Sequence, residues 1–428
     1  MDINELCKIR HTLHQHPELS LCENWTNAHL LSWLRRHTSL EVRSLERGIL
    51  AIKEPTRSMS AILNAAPISA AAPASAAAPT PAAAPASAEA PAPAAAPAPA
   101  TAPAPVADPA PAIPSIAFRA DYDALPIRED NCLPYHSVNE GVSHKCGHDG
   151  HTAALCGLAL ALEKTETDRR ILLIFQGAEE IGQGGESCAE ALEEYNVREI
   201  YAFHNRSGYP ENAVIIKNGV TQCASEGLTI TFEGRASHAS APEDGLNPSA
   251  AAAELVLSLQ EIQKRNWDGL VMATVVHVQV GSPDFGISPG SGLVSVTLRA
   301  EIEQELKTAE EMIRQTARYL AAKYGLQTSV SRQDVFPETV NWDICSEKVA
   351  SAAEKLGLQL IRTTDVWRAS EDFGHYTKKI PGAMFYIGNG EDYPALHTVD
   401  YDFNDGILET AVQMFLTLTG CELNRHVN

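Results

Sequence analysis

Apolar positions along this chain follow two rhythms, one with the period of a helix and one with the period of a buried strand. Ile3, Leu6, Ile9 and Leu13 stand three or four residues apart and predict an amphipathic helix over 3–18, ending near Pro17. A second helix is expected from Thr26 to Arg36, and Leu40 to Lys53 reads as two strands turning at Arg47–Gly48. Beyond residue 115 short apolar runs alternate with helical stretches. They give strand Ile116–Ala120, a helix from Asp149 to Glu163, strand Ile171–Phe175, a helix near Glu186–Tyr195 and strand Glu199–Phe203. Short apolar runs separated by helices predict a mostly parallel sheet covered on both faces.

From Ser225 the texture changes. Strand Leu228–Glu233, helix Pro248–Gln263, strands Val271–Val280 and Leu293–Ala300, helix Thr308–Tyr324 and strand Gln327–Arg332 follow in turn. This β-α-β-β-α-β order predicts a ferredoxin-like module. The last section returns to helix Lys348–Leu356, strand Ala383–Ile387 and a final helix from about Ile407 to Thr419. The expected fold class is therefore α/β: a domain with a mixed, mostly parallel sheet, built from both ends of the chain, carrying the ferredoxin-like unit as an insert. The expected boundaries are 1–223, 224–335 and 336–428.

One segment breaks the pattern. Residues 55–114 are almost all Ala and Pro, with little to bury and few hydrogen-bond donors, so polyproline-like disorder is expected there. The pieces on either side, G-I-L-A-I-K (48–53) and I-A-F-R (116–119), both read as strands of one sheet. The segment is accordingly expected to be an insertion at a hairpin turn rather than an interdomain linker, a length that loop-closure entropy tolerates.

Composition narrows the function. With 54 acidic against 33 basic residues the net charge is -21. Such a chain repels phosphate backbones and anionic lipid, so neither nucleic acid nor a membrane is an expected partner. The N-terminus is polar, without the apolar core of a signal peptide, and no apolar run is long enough to span a bilayer. Nine cysteines, odd in number and irregularly spaced, suit reduced thiols and a cytoplasmic location.

The candidate chemistry centres on V-S-H-K-C-G-H-D-G-H-T (142–152), where His144, Cys146, His148 and His151 fall within eight residues. Four further features follow predicted strands. Asp121-Tyr122-Asp123 closes strand Ile116–Ala120, where parallel sheets bind ligands; the plainer alternative is a turn or cap pair. Glu179-Glu180 follows Ile171–Phe175; one carboxylate would bind metal while its neighbour serves as general base, against the alternative of an exposed acidic pair. His204 ends strand Glu199–Phe203, and His397 lies near the C-terminus; each alone also suits a structural histidine. Together, Asp121, Cys146, His148, Glu180 and His204 follow predicted strands of one sheet, so their side chains can converge on one edge. A thiolate, imidazoles and a carboxylate suit Zn²⁺ or Mn²⁺. More than four donors point to two ions roughly 3.5–4 Å apart.

These pieces resemble the metal-dependent amidohydrolases of the hippurate and indole-acetyl-amino-acid hydrolase type, a branch of the di-metal aminoacylase and carboxypeptidase group. The matching stretches are L-H-Q-H-P-E-L-S (13–20), R-A-D-Y-D-A-L-P-I (119–127), H-K-C-G-H-D-G-H-T (144–152), F-Q-G-A-E-E (175–180), G-R-A-S-H-A-S-A-P (234–242), A-S-E-D-F (369–373) and P-G-A-M-F-Y-I-G (381–388), leading to L-H-T (396–398). The resemblance implies a catalytic domain in two parts with 224–335 inserted as a lid or dimerisation domain. It implies Cys146, His148, Glu180, His204 and His397 as ligands of two divalent ions, Zn²⁺ or Mn²⁺, and Glu179 as general acid/base. It also implies Asp121 and Asp123 behind the ligands, and His238 and Arg299 as substrate-binding residues, with His238 reaching a substrate from a partner subunit in a homodimer. His144 and His151 are left to supporting or structural roles. The implied substrate is an N-acyl amino acid.

Three departures bear on specificity. Gly177-Ala178 stands where the resembling sequences have Pro-Ala, Gly286-Ile287-Ser288-Pro289 where they have N-V-I-P, and Asn205-Arg206-Ser207 follows His204 in place of a Val-containing segment. The alternatives are a dipeptidase, a diamino-acid deacetylase, or a metal-binding relative without catalysis. A Cys146–His148 nucleophile pair would leave Glu179, Glu180 and His397 without a task.

Overall fold

The structure, a computed structural model, describes residues 2–56 and 113–421. The Ala/Pro-rich stretch lies, from 57 to 112, outside the described residues.

An eight-stranded mixed sheet carries the molecule. Its strand order is Glu41–Leu45, Gly48–Lys53, Arg170–Gln176, Ser115–Asp121, Val197–Ser207, Gly382–Gly390, Val214–Ile216 and Leu360–Arg362. The four strands from Arg170–Gln176 to Gly382–Gly390 are mutually parallel, and antiparallel pairs flank them. Strand Arg170–Gln176 shows why the apolar run is continuous. Ile171, Leu173 and Phe175 enter the core on one face, and Leu172 and Ile174 enter the core on the other. Helices Ile3–Gln15, His148–Leu162 and Leu408–Leu418 supply Leu6, Leu155 and Phe415 to the first face. Phe373 and Tyr376 pack on the second. A strand buried on both faces has no polar alternation to show.

The elements stand close to their expected places, mostly a few residues longer. One extension matters: the strand bearing His204 runs on to Ser207, so His204 lies within it and not after its end. One expectation fails. Gly48–Lys53 and Ser115–Asp121 share the sheet but do not form a hairpin, because Arg170–Gln176 pairs with both, antiparallel to the first and parallel to the second.

Residues 224–336 form a separate four-stranded antiparallel sheet in the order Val271–Val280, Ser291–Ala300, Ala224–Glu233, Gln327–Phe336, with helices Ser249–Gln263 and Glu303–Tyr324. These helices and strands share their own apolar core, including Phe232, Leu255, Val294 and Ile313. The strand order is that of a ferredoxin-like module, as the β-α-β-β-α-β pattern predicts.

Candidate metal centre

The parallel strands end on one edge, and the loops there deliver the chemistry. Cys146 precedes helix His148–Leu162, with Gly147 as the hinge. Gly147 has φ +95°, and a Cβ there would stand 2.4 Å from Oδ1 of Asn205, so only glycine fits. The turn after Arg170–Gln176 is also tight: Ala178 has φ 56°, and its N–H donates to Oε1 of Glu23 at 2.7 Å. Glu179 and Glu180 follow at once. His397 arrives from the C-terminal section with φ 64°, its N–H donating to the carbonyl of Lys145 at 2.8 Å. Two non-glycine residues in the left-handed region beside the same cleft are backbone strain held by surrounding structure.

The side chains converge. Sγ of Cys146 lies 3.4 Å from Nε2 of His204 and 3.3 Å from Nε2 of His397. His148 donates from Nδ1 to the carbonyl of Asp123 at 2.9 Å, which turns Nε2 towards Glu180 at 3.6 Å. His204 donates from Nδ1 to the carbonyl of Asn205 at 2.8 Å, leaving its Nε2 for the cluster. Nε2 of His148 and Oε1 of Glu180 are buried and have no hydrogen-bond partner among the described residues. Main-chain carbonyls thus fix both tautomers so that the other nitrogen faces inward, the usual way a ligand imidazole is held.

The electrostatics say what fits between them. Burial, reinforced by Glu180, Glu179 and Asp121, pushes the Cys146 thiol well above its ordinary pKa. Burial, joined by Glu371, Glu180 and Asp372 and opposed by Arg119, pushes the Glu179 carboxyl well up. Burial also raises Glu180, to about 7, with His148 opposing. Burial works against a charged His148, but Asp121, Asp123 and Glu180 outweigh it and raise that imidazole to about 10. Burial and His151 hold His204 well below the ordinary value, so it is neutral. A thiol and several carboxyls that resist ionisation, gathered around unpartnered donor atoms, are an arrangement that divalent cations complete. Among the described residues Cys146 with His148 and His204, Cys146 with Glu180 and His397, and His148 with Glu179 and Glu180 each bring one donor atom within 4.8 Å of the others. The imidazoles in hydrogen-bond contact with Sγ of Cys146 are those of His204 and His397, not that of His148.

The cleft over this cluster holds about 550 Å³ and is lined by residues of both sheets, Arg299, Arg206 and Glu226 among them. Arg299 donates to the carbonyl of Arg368 and to Oγ of Ser370. His238 is exposed, on the short strand Ser237–His238, and does not line the cleft in this chain. Asp121 sits behind the cluster, accepting from His151 at 2.6 Å. His151 is engaged at both ring nitrogens, the other facing Oδ1 of Asn205 at 2.6 Å, so neither is free for an ion. Asp123 orients His148 through its carbonyl, while its carboxylate accepts from Ser20 and from the N–H of Glu180. His144 is buried and apart, pushed down to about 4 by burial.

Several supporting residues escape a sequence reading. Arg119 is buried and donates to Asp121, Asp372 and Gln176, with Glu371 at 3.1 Å. The signal was an arginine inside an apolar strand, a residue type that is seldom buried without partners. Beneath the Cys146 loop, His14 bridges Asp149 and Glu129, Arg10 reaches Asp149 and Asp402, and Lys145 reaches Glu129 and the carbonyl of Tyr401. Nothing in the spacing of these residues announces that they meet.

Among the described residues no helix is long and apolar enough to cross a membrane. The chain matches the profile of Peptidase family M20/M25/M40 over residues 117–419. It is 31% identical over 310 residues to an N-acetylcysteine deacetylase of Bacillus subtilis, covering 71% of this chain and 80% of that one. It is also 31% identical over 308 residues to a hippurate hydrolase of Campylobacter jejuni, with the same coverage of 71% and 80%. Its fold is similar to that of the YXEP protein of Bacillus subtilis, a dinuclear metal binding peptidase of the M20 family, at a TM-score of 0.71 and 24% identity over 97% of each chain.

Proposed function

The chain belongs to Peptidase family M20/M25/M40 and is a metal-dependent amidohydrolase, and we propose that it cleaves the amide of N-acyl amino acids with Glu179 as general acid/base. The observation that carries this reading is the convergence of Cys146, His148, Glu180, His204 and His397, whose inward donor atoms lack protein partners or face only one another. These five residues would hold two divalent ions, and the thiolate–imidazole–carboxylate set favours Zn²⁺ or Mn²⁺. Bound there, the ions supply Lewis acidity, polarising a carbonyl and easing deprotonation of water.

The chain's own groups do the rest. Glu179 takes a proton from the attacking water and passes it to the departing nitrogen. Its burial and its acidic neighbours favour the protonated carboxyl, which suits the second half of that exchange. Arg119 pairs with Asp121, Glu371 and Asp372 and offsets part of the negative charge these acids place behind the cleft. Arg299, on the cleft wall, would face a substrate carboxylate. His238, exposed and outside the cleft, would act on the site of a second copy in a homodimer. Residues 224–335 would then form the lid and the dimer contact. All nine cysteines are unpaired, which supports a reducing, cytoplasmic setting.

N-acetyl and N-benzoyl amino acids both fall within the proposed class, and so does a deacetylase of a diamino acid. The experiment is a turnover screen over acetyl, benzoyl, indole-acyl and aminobenzoyl amides of several amino acids, before and after chelation. Activity lost to chelator and restored by Zn²⁺ or Mn²⁺ is expected; turnover that survives complete metal removal refutes the mechanism.

A further inference from the structure

Strand Val197–Ser207 carries two chemistry-bearing side chains, His204 and Arg206. They are two positions apart, so they share a face with their Cα atoms roughly 7 Å apart. Both line the cleft. His204 belongs to the candidate metal centre, which leaves Arg206 to be explained.

Arg206 is half-buried, and its guanidinium carbon lies 3.5 Å from the ring centroid of Trp367. Tyr209 and Tyr386 flank it at 5.6 and 5.9 Å. Its Nε is buried and makes no hydrogen bond. Among the described residues no carboxylate pairs with it. Of the cleft-wall acids outside the candidate metal centre, Glu226 pairs with Arg332 and Glu371 with Arg119, and Asp334 forms no ion pair with Arg206. Arg299 is likewise half-buried and, among the described residues, hydrogen-bonds to a carbonyl and a hydroxyl and to no carboxylate. The chain has 54 acidic residues against 33 basic ones, so carboxylates are not scarce. Two partly desolvated cations without a counter-ion are costly unless a ligand brings the negative charge. Trp367 lies against the guanidinium and Tyr209 hydrogen-bonds to the side chain, which positions it in the cleft lining; a positioned planar guanidinium is the form in which arginine meets a carboxylate.

Building on the N-acyl amino acid reading, we propose that Arg206 binds a second carboxylate of the substrate, so that the preferred N-acyl amino acids are dicarboxylic. The second carboxylate has two sources, the amino-acid side chain or the far end of the acyl group.

The test compares kcat/KM of the metal-loaded full chain within two pairs. N-acetylglutamate against N-acetylglutamine probes the amino-acid source, and N-succinylmethionine against N-butanoylmethionine probes the acyl source. The charged member of one pair is expected to win by about tenfold or more, chiefly through KM. In Arg206→Met that ratio falls to about one, and Arg206→Lys restores part of it. A ratio near one in both pairs for the unaltered protein, or a ratio that survives Arg206→Met, overturns the proposal. Calorimetric titration with glutarate and with butyrate separates this idea from the hydrolase reading. Glutarate binding that exceeds butyrate binding and is lost in Arg206→Met upholds Arg206 even if no amide is cleaved. Equal binding of the two acids overturns it even if amides are.

Discussion

Sγ of Cys146 lies 3.3 Å from Nε2 of His397, although 251 positions separate them in the chain. Main-chain geometry enforces the meeting, since the His397 N–H donates to the carbonyl of Lys145, next to the cysteine. If the pair shares an ion, Cys146→Ala and His397→Ala should each purify with less metal than the unaltered protein. Elemental analysis after dialysis against dilute Zn²⁺ measures this. Full metal content in both variants would remove the pair from the ligand set.

Glu179 and Glu180 are adjacent but face different tasks. Glu179→Gln should lower kcat by about 10²–10⁴-fold while metal content stays level. Glu180→Gln should lose metal together with activity. The opposite pattern would exchange the two assignments.

Arg119 is the only described cation in contact with Asp121, Glu371 and Asp372 together. Replacing it with Met removes the cation that these three buried carboxyls share, leaving Asp121 to His151 and Asp372 to Gln176 and the N–H of Gly185. The expected loss is about 3–5 kcal/mol of unfolding free energy, read from urea titration of the loaded protein. A loss below about 1 kcal/mol would mean that water reaches these groups freely.

Burial lowers the pKa of His14, but hydrogen bonds to Asp149 and Glu129 outweigh it and raise the value from 6.5 to about 9. A folded-state pKa above the unfolded one stabilises the fold fully below the unfolded value. That contribution is lost as pH rises through the folded value. The gap between the unaltered protein and His14→Gln should therefore be widest below about pH 6.5 and shrink towards pH 9, by roughly 3 kcal/mol. Melting temperatures at half-unit pH steps follow it; a gap constant with pH would show that folding does not shift the His14 pKa.

Lys53 and Ile116 both pair with Ile171, from opposite sides, so their strands stand about 10 Å apart. Residues 54–56 and 113–115 suffice to bridge that distance. Deleting 57–112 should leave kcat/KM within about twofold and the far-ultraviolet circular dichroism of the folded part intact. An insoluble or inactive product would show that the stretch contributes to folding.

How much of this was legible beforehand depends on the range of the interaction. The alternation of helix and strand, the ferredoxin-like order and the cluster from His144 to His151 are local patterns. Each depends on residues a few positions apart, and the linear chain displays them. The hairpin expected at 53–116 failed because strand neighbours are chosen by the whole sheet: both flanking segments look like strands, and nothing in them says that Arg170–Gln176 comes between. Arg119, His14 and Lys145 were passed over for the same reason, since polar partners that justify burying them, Asp372, Glu129 and the carbonyl of Tyr401, lie 253, 115 and 256 positions away.

By itself, then, the sequence determined which side chains were available and on which kinds of element they ride. Cys146 and His148 had to sit at a helix start, and Glu179 and Glu180 had to follow a buried strand, because backbone periodicity and glycine placement are local matters. The tertiary structure decided which of those side chains meet. It turned Nε2 of His148 inward by bonding Nδ1 to a carbonyl, left Arg206 on Trp367 without a counter-charge among the described residues, and separated His151, held by Asp121 and Asn205, from His204, whose Nε2 faces Cys146. Those choices rest on contacts between distant segments, where burial and hydrogen-bond satisfaction act on the whole fold at once.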